Sequence, residues 1–353
     1  MKKWMIYGAN GYTGELIARE AVKRGLSPVL AGRNADKIRP LAEELSLAFQ
    51  AFSLNDHAAK QLKDIDLVLH CAGPFDLTSK PMIQACLQAK AHYLDITGEI
   101  SVFEYTHSQH AQAVEKDIIL CSGVGFDVIP TDCTALKLKE ALPDAIELSL
   151  GFDSDSGVSP GTFKTMIQGL GSTSMHRKDG VLESVALGSQ HRTIDFGRGS
   201  RSAMGIPWGD VSTAFYTTGV PTISTWIPMS KPKVQSARLM KVASPLFASD
   251  WVKDKLQKQV EKRVKGPNNE FRANTPAYIW GEARNAEGVM KVARIQTANV
   301  YDLTVYGSLD IVHRLLSEQI DGGYYTPAGL FGSNLVEKLP GSGAFEIDTF
   351  YPR

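Results

Sequence analysis

The stretch YGANGYTG, residues 7–14, sets three glycines, Gly8, Gly11 and Gly14, into seven positions almost at the start of the chain. The apolar run KWMIY before it reads as a short buried strand. The run GELIAREAVKRG after it reads as a helix, with Leu16, Ile17 and Ala21 on one face and Gly25 as its stop. A glycine turn between a strand and a helix lets the backbone approach a pyrophosphate closely, and the helix N-terminus then aims its N–H groups at the phosphate oxygens. The spacing is G-x-x-G-x-x-G, one residue longer than the common dinucleotide fingerprint, but Gly11 and Gly14 keep the close-approach and helix-packing interval. An ordinary turn is the bland alternative, and the position between strand and helix argues against it. Gly8, Asn10, Gly11, Tyr12, Thr13 and Gly14 are therefore expected to cradle phosphate.

The next strand bears on which nucleotide. SPVLAGRN ends in Gly32-Arg33-Asn34, where an NAD site wants an acidic residue for the ribose 2′-hydroxyl. A guanidinium here, with Lys37 one helical turn on, suits a 2′-phosphate and stacks on adenine. NADP is expected over NAD, with Arg33, Asn34 and Lys37 at that end; a solvated loop arginine is the alternative.

Strand and helix then keep alternating: a helix over 35–45, strands over 48–52 and 67–71, a helix over 81–89, a strand ending at Thr97-Gly98-Glu99, a helix VFEYTHSQHAQAVEK and a strand over 117–123. That alternation predicts a parallel sheet with crossover helices, a Rossmann domain over residues 1–135. Ligands sit at the carboxyl ends of such strands. The loops holding Ala72, Gly73, Pro74 and Phe75, then Thr97, Gly98 and Glu99, then Gly123, Gly125 and Phe126 are expected to line the nicotinamide half of the site.

After Pro143 the texture changes. AIELSLGF reads as a strand, VSTAFYTTGVPTISTW as β-rich, 233–265 as basic and amphipathic, and AYIWGEARNAEGVMKVARIQTAN as a hairpin turning near 285–288. A helix with Leu309, Val312, Leu315 and Leu316 on one stripe follows. This predicts an inserted α+β domain over 136–320, with 321–353 returning to the Rossmann domain. An open sheet in such a domain has edges to cover, so a homodimer through it is expected.

Lys+Arg and Asp+Glu are equal at 38 each, which leaves no basic field for nucleic acid. Cys71, Cys86, Cys121 and Cys133 form no C-x-x-C pair, so neither a zinc site nor a disulfide scaffold is expected. No leader-like segment precedes the first strand and no apolar run approaches a membrane span, so a cytoplasmic location is expected.

The motifs GANGYTG (8–14), AGR (31–33), CAGPF (71–75), YLDITGE (93–99), GFDVIPTD (125–132) and GGYYTPA (322–328) together resemble the saccharopine dehydrogenase-like oxidoreductases, in the branch that includes trans-acting enoyl reductases. The resemblance implies a Rossmann domain, a mixed α/β second domain and a nicotinamide cofactor. It does not imply saccharopine as substrate, because the group acts on imines, unsaturated lipids and other compounds.

Hydride transfer needs the cofactor set against a substrate and often one proton donor. Asp127, Asp132, Asp95, Glu99 and His70 fall near the expected nicotinamide. Asp127 is the catalytic candidate; capping of the following helix by Asp127 or Asp132 is the competing reading. Asp95 reads as locally hydrogen-bonded and His70 as a core histidine. His176, Arg177, Lys178 and Arg201 are candidates for a substrate carboxylate, against ordinary exposed charge. Lys231, Lys233, Arg238 and Lys241 suit a solvated helix better than peripheral membrane contact. None of the tyrosines has a lysine four residues on, which disfavours a short-chain dehydrogenase. The sequence thus predicts NADP-dependent hydride transfer to or from a C=N or C=C bond of a small or lipid-like substrate, without a metal. A non-catalytic NADP sensor is the alternative.

Overall fold

The structure, a computed structural model, describes residues 2–156, 174–186, 188–230 and 266–352. It divides into two compact units, residues 1–127 with 301–330, and residues 128–300 with 331–353.

The first unit opens on β1 (Trp4–Tyr7), buried along its whole length, and α1 (Tyr12–Lys23), which turns Ile17, Ala18 and Ala21 inward. Then come β2 (Val29–Gly32), α2 (Ala35–Leu45), β3 (Phe49–Ala51), α3 (Ala58–Gln61) and β4 (Leu67–His70). They are followed by α4 (Phe75–Ala89), β5 (His92–Asp95), α5 (Ile100–Ser108), α6 (His110–Lys116) and β6 (Ile119–Cys121). Local chemistry explains the punctuation. The Asn34 side chain accepts the N–H groups of Asp36 and Lys37 and starts α2, and Gly25 follows α1 at φ +73°.

Two expected helices differ. α4 begins at Phe75, six residues before Pro81, because a distant carboxylate satisfies its first N–H groups (below). The single helix expected through residue 116 is two, broken where Gln109 leaves helical geometry at φ −91°, ψ 3°.

The second unit starts with α7 (Ile129–Ala141), then β7 (Glu147–Ser154), β8 (Ser174–Lys178), β9 (Val181–Val185), β10 (His191–Asp195) and β11 (Ser200–Gly205). Next are α8 (Asp210–Thr218), β12 (Thr222–Pro228), α9 (Asn269–Ala273), β13 (Ala277–Arg284) and β14 (Met290–Thr297). The segment VSTAFYTT, expected as strand, is helical in α8. Val211 and Ala214 bury one face, and Gly219 in the left-handed region stops it. Neither Asp127 nor Asp132 caps α7. Its N-cap is Val128, and the buried Asp132 instead accepts from Thr217 Oγ1 at 2.5 Å.

The chain returns to the first unit with α10 (Val300–Ser317), β15 (Gly323–Tyr324) and α11 (Pro327–Phe331), and ends in the second with β16 (Glu346–Phe350). The sequence set the boundaries at 135 and 320, and contacts move both. Thr304 Oγ1 accepts the Phe126 N–H at 3.0 Å and Lys2 Nζ donates to Leu315 O at 3.1 Å, which places nearly all of α10 in the first unit. α7 packs on β13 so closely that a Cβ on Gly281 would lie 2.6 Å from Thr134 Cγ2, which places α7 in the second.

Among the described residues the first sheet has seven strands in the order β15-β6-β5-β4-β1-β2-β3, all parallel. Its core includes Met5, Tyr7, Val68, Ile83, Tyr93 and Leu120. The order reverses direction between β1 and β4, which makes the carboxyl ends of those two strands the topological switch point. The second sheet has nine strands, with β10-β11-β12-β7-β13-β14-β16 as its main path and β8 pairing β12 and β9. It is mixed, since β7 is parallel to β12 and antiparallel to β13. Ile194, Phe196, Trp226 and Trp280 belong to a hydrophobic cluster on it.

Candidate functional site

The glycine turn sits at the switch point. Tyr7 and His70 are register partners at the ends of β1 and β4. Gly8 follows at φ +91°, where a Cβ would lie 2.7 Å from the backbone of Ala72 and of Cys71. A Cβ on Gly14 would run into Gly8 O, so helix and turn meet at a distance that only glycine allows. Gly11 is the N-cap of α1 and no side chain caps the helix. The first-turn N–H groups of Tyr12, Thr13 and Gly14 therefore face outward by helix geometry, as an anion site requires. The Asn10 side chain lies over Gly32, where a Cβ would come within 3.1 Å of its Oδ1. This cradle fits a dinucleotide pyrophosphate.

At the end of β2, Arg33 and Lys37 are exposed, while Asn34 is engaged in starting α2. Asp36, the nearest acidic residue in sequence, is exposed in the first turn of α2. Tyr7 donates to Phe52 O at 3.0 Å; burial raises its hydroxyl to about 12 against the opposing pull of the Arg33 charge.

The ends of β4, β5 and β6 form one hydrogen-bonded group. Thr78 Oγ1 donates to Ala72 O at 2.7 Å and lies 2.9 Å from Pro74 O, closing the turn through Gly73 to Phe75. Asp95 is fully buried and accepts from Tyr93 Oη at 2.8 Å, Thr97 N at 3.0 Å and Gly123 N at 2.9 Å. Burial raises its carboxyl despite these donors. His70 Nδ1 lies 3.2 Å from Tyr93 Oη, and burial lowers the imidazole to about 3, so it is neutral. The sequence reading of Asp95 as a local hydrogen-bonder misses its reach to Gly123, 28 residues away; the Y-x-D-x-T pattern is the signal that was present.

Two further carboxyls stand at this edge. Asp127 follows β6, and its Oδ2 lies 3.1 Å from where a Cβ on Gly98 would be, so Gly98 leaves room for it. Burial pushes it up to about 7. Glu99 is half-buried and also pushed up to about 7, first by burial and then by the charge of Asp76. The first unit thus gathers Asp127, Gly98, Glu99, Gly123, Gly125 and Phe126 with the turn 72–75 along the carboxyl edge of its sheet. Near neutral pH Asp127 divides between a form that can give a proton and one that can take it.

Of the candidate carboxylate binders of the second unit, His176, Arg177 and Lys178 line one cavity and Arg201 does not. Arg177 is buried, donates from Nε to Val211 O at 2.7 Å and lies 4.2 Å from the Phe215 ring centre. Arg201 pairs with Asp153 at 3.3 Å, beside the Arg198–Asp153 pair. His176 lies between Glu183 at 3.3 Å and Gln190 at 3.2 Å, and with Lys178 lines a cavity of about 360 Å³ that also touches Ser149, Ser224 and Trp226. Lys231, Lys233, Arg238, Lys241 and the basic stretch 233–265 lie outside the described residues. Among the described residues there is no group of three or more metal-ligating side chains, and no helix is long and apolar enough to cross a membrane.

Residues 4–121, which hold the glycine turn, Arg33 and the Asp95 group, match the saccharopine dehydrogenase NADP binding domain. This match covers about the first third of the chain, and there the chain is similar to the saccharopine dehydrogenase-like proteins. It is 27% identical over 205 residues to the saccharopine dehydrogenase-like oxidoreductase of Mus musculus, covering 49% of this chain and 47% of that protein. It is 30% identical over 151 residues to a trans-acting enoyl reductase of Mycobacterium bovis, covering 38% of this chain and 34% of that protein. The match thus spans about half the length, or less, of these curated relatives. The fold is similar to that of the L-Glu-forming saccharopine dehydrogenase of Saccharomyces cerevisiae, with a TM-score of 0.66 at 12% identity, covering 99% of this chain and 100% of that one. The first unit is thus a Rossmann-like domain whose residues 4–121 match an NADP binding domain.

Proposed function

We propose that this protein is an oxidoreductase that uses NADP in preference to NAD and moves hydride to or from a C=N or C=C bond of a small or lipid-like substrate. The observation that carries this is the glycine cradle at the β1/β4 switch point, with Arg33 in place of a carboxylate at the end of β2. Bound nicotinamide would supply or accept the hydride. The N-terminus of α1 would hold the pyrophosphate, Arg33 and Lys37 the 2′-phosphate, and the three strand-end loops the nicotinamide half. Asp127 would hand a proton to the reduced substrate, or take it back in the reverse direction.

The C=C option is supported by the trans-acting enoyl reductase among the relatives. The C=N option follows from the family resemblance alone. The proposal includes a cytoplasmic homodimer; the four cysteines are free thiols, which suits a reducing compartment.

The test is to titrate the full chain with NADP and NAD, then to follow NADPH oxidation against a panel of enoyl thioesters and cyclic imines. Tighter binding of NADP, with turnover of one class, is expected. Preference for NAD, or no binding of either nucleotide, overturns the cofactor assignment. Tight NADP binding without turnover across the panel favours a sensor.

A further inference from the structure

Glu99 lies in one of the three strand-end loops, yet its carboxylate is engaged by the protein's own backbone. It stands at the N-cap position of α5 and makes no side-chain bond to that helix. It reaches instead to the start of α4, where Oε1 accepts the Phe75 N–H at 3.1 Å and Oε2 accepts the Asp76 N–H at 2.6 Å. A 15-residue helix offers unpaired N–H groups and the positive end of its dipole there, and a carboxylate answers both.

The backbone of Glu99 is itself held. Its N–H donates to Thr97 Oγ1 at 3.1 Å, the Thr97 N–H donates to Asp95 Oδ1 at 3.0 Å, and the same oxygen receives the Gly123 N–H at 2.9 Å. One run of hydrogen bonds therefore joins the loops after β6, β5 and β4 and ends on the turn 72–75. Helices α1, α4 and α5 open after glycine-containing turns at this edge. The side chain of Glu99 takes the first N–H groups of α4, whereas the N-cap residues of α1 and α5 make no side-chain cap bond.

The geometry points to Glu99 as a positioning residue that fixes the turn 72–75 in the shape that receives the nicotinamide half of the nucleotide. This rests on the NADP reading above. The titratable groups facing the carboxylate are Asp76 on α4 and Asp95 on β5, with Asp127 next, its carboxyl against Gly98. All are acidic, and burial, followed by the charges of Asp76 and Asp95, holds Glu99 up at about 7. Its protonation removes a charged acceptor from the start of α4, so NADP affinity should be full above this pH and decline below it.

The experiment titrates wild type and Glu99→Gln with NADP and with adenosine 2′,5′-bisphosphate, which carries the adenine and the 2′-phosphate but no nicotinamide. Each titration is repeated between about pH 5.5 and 8.5, on both sides of the raised carboxyl. Glu99→Gln should bind NADP about tenfold more weakly, the equivalent of one charge-assisted hydrogen bond. It should bind the bisphosphate as wild type does, and its NADP affinity should lose the decline below neutrality that Glu99 causes. Unchanged NADP affinity overturns the proposal. So does an equal loss for both probes, which would mark a defect of the whole domain. If wild type binds neither probe, the NADP reading itself fails.

Discussion

The proposed chemistry depends at the level of single residues on Arg33 and Asp127, and each can be tested alone. Arg33 is exposed just after the end of β2. A bidentate, charge-assisted bond to a 2′-phosphate contributes about 1.5–3 kcal/mol, roughly tenfold to hundredfold in affinity. Arg33→Ala should lose that much for NADP and little for NAD, and Arg33→Asp should exchange their rank. Nucleotide titration reads both, and equal losses for the two nucleotides would withdraw the 2′-phosphate role. Asp127 is raised to about 7 by burial, so its proton is present below that pH. The rate of reduction should fall as pH rises through about 7, and Asp127→Asn should lower kcat by about a hundredfold or more. The same shift has a stability sign. A carboxyl raised in the folded state favours folding at low pH, where both states are protonated, and that contribution is lost as pH rises through the folded value. Wild type should therefore melt lower above neutrality than at acid pH by an increment that Asp127→Asn lacks. Thermal melts of both proteins across this range check it.

Among the elements, α7 and α8 show packing deciding what propensity does not. α8 is built from Val, Ser, Thr, Ala, Phe and Tyr, residues that mostly favour strands, yet it is helical because Val211 and Ala214 share one buried face. α7 lies against β13 at Gly281, where a Cβ would meet Thr134 Cγ2 at 2.6 Å and Leu138 Cδ1 at 2.7 Å. Gly281→Ala should push helix and strand apart and cost about 1–3 kcal/mol of stability, as overpacking does. The midpoint of urea unfolding measures it, and an unshifted midpoint would mean that the contact relaxes freely.

For the whole molecule, the open question is what covers the second sheet. β16 lies at one end of its main path and exposes Ile347, Phe350 and the adjoining Tyr351, the last 75% accessible. An apolar edge strand invites pairing with another chain. A homodimer is the expected outcome, with light scattering giving twice the 38.5 kDa of one chain. Ile347→Lys with Phe350→Lys should shift it toward monomer. A monomeric wild type would count against this use of the edge.

What the sequence by itself determined is the alternation of strand and helix that makes the first sheet parallel, and the placement of Gly8 and Gly11 between β1 and α1 and of Arg33 just after β2. These are set by signals within a turn or two of the chain: Gly25 after α1, Asn34 before α2, and the period of each buried strand. Only the tertiary structure decided the rest of the site. Glu99 reaches Phe75 across 24 residues, Asp95 reaches Gly123 across 28, and Thr304 reaches Phe126 across 178. Local periodicity is silent about such pairs, because sheet order brings them together. The start of α4 and the domain boundaries were misread for that reason, since each is fixed by a partner far along the chain.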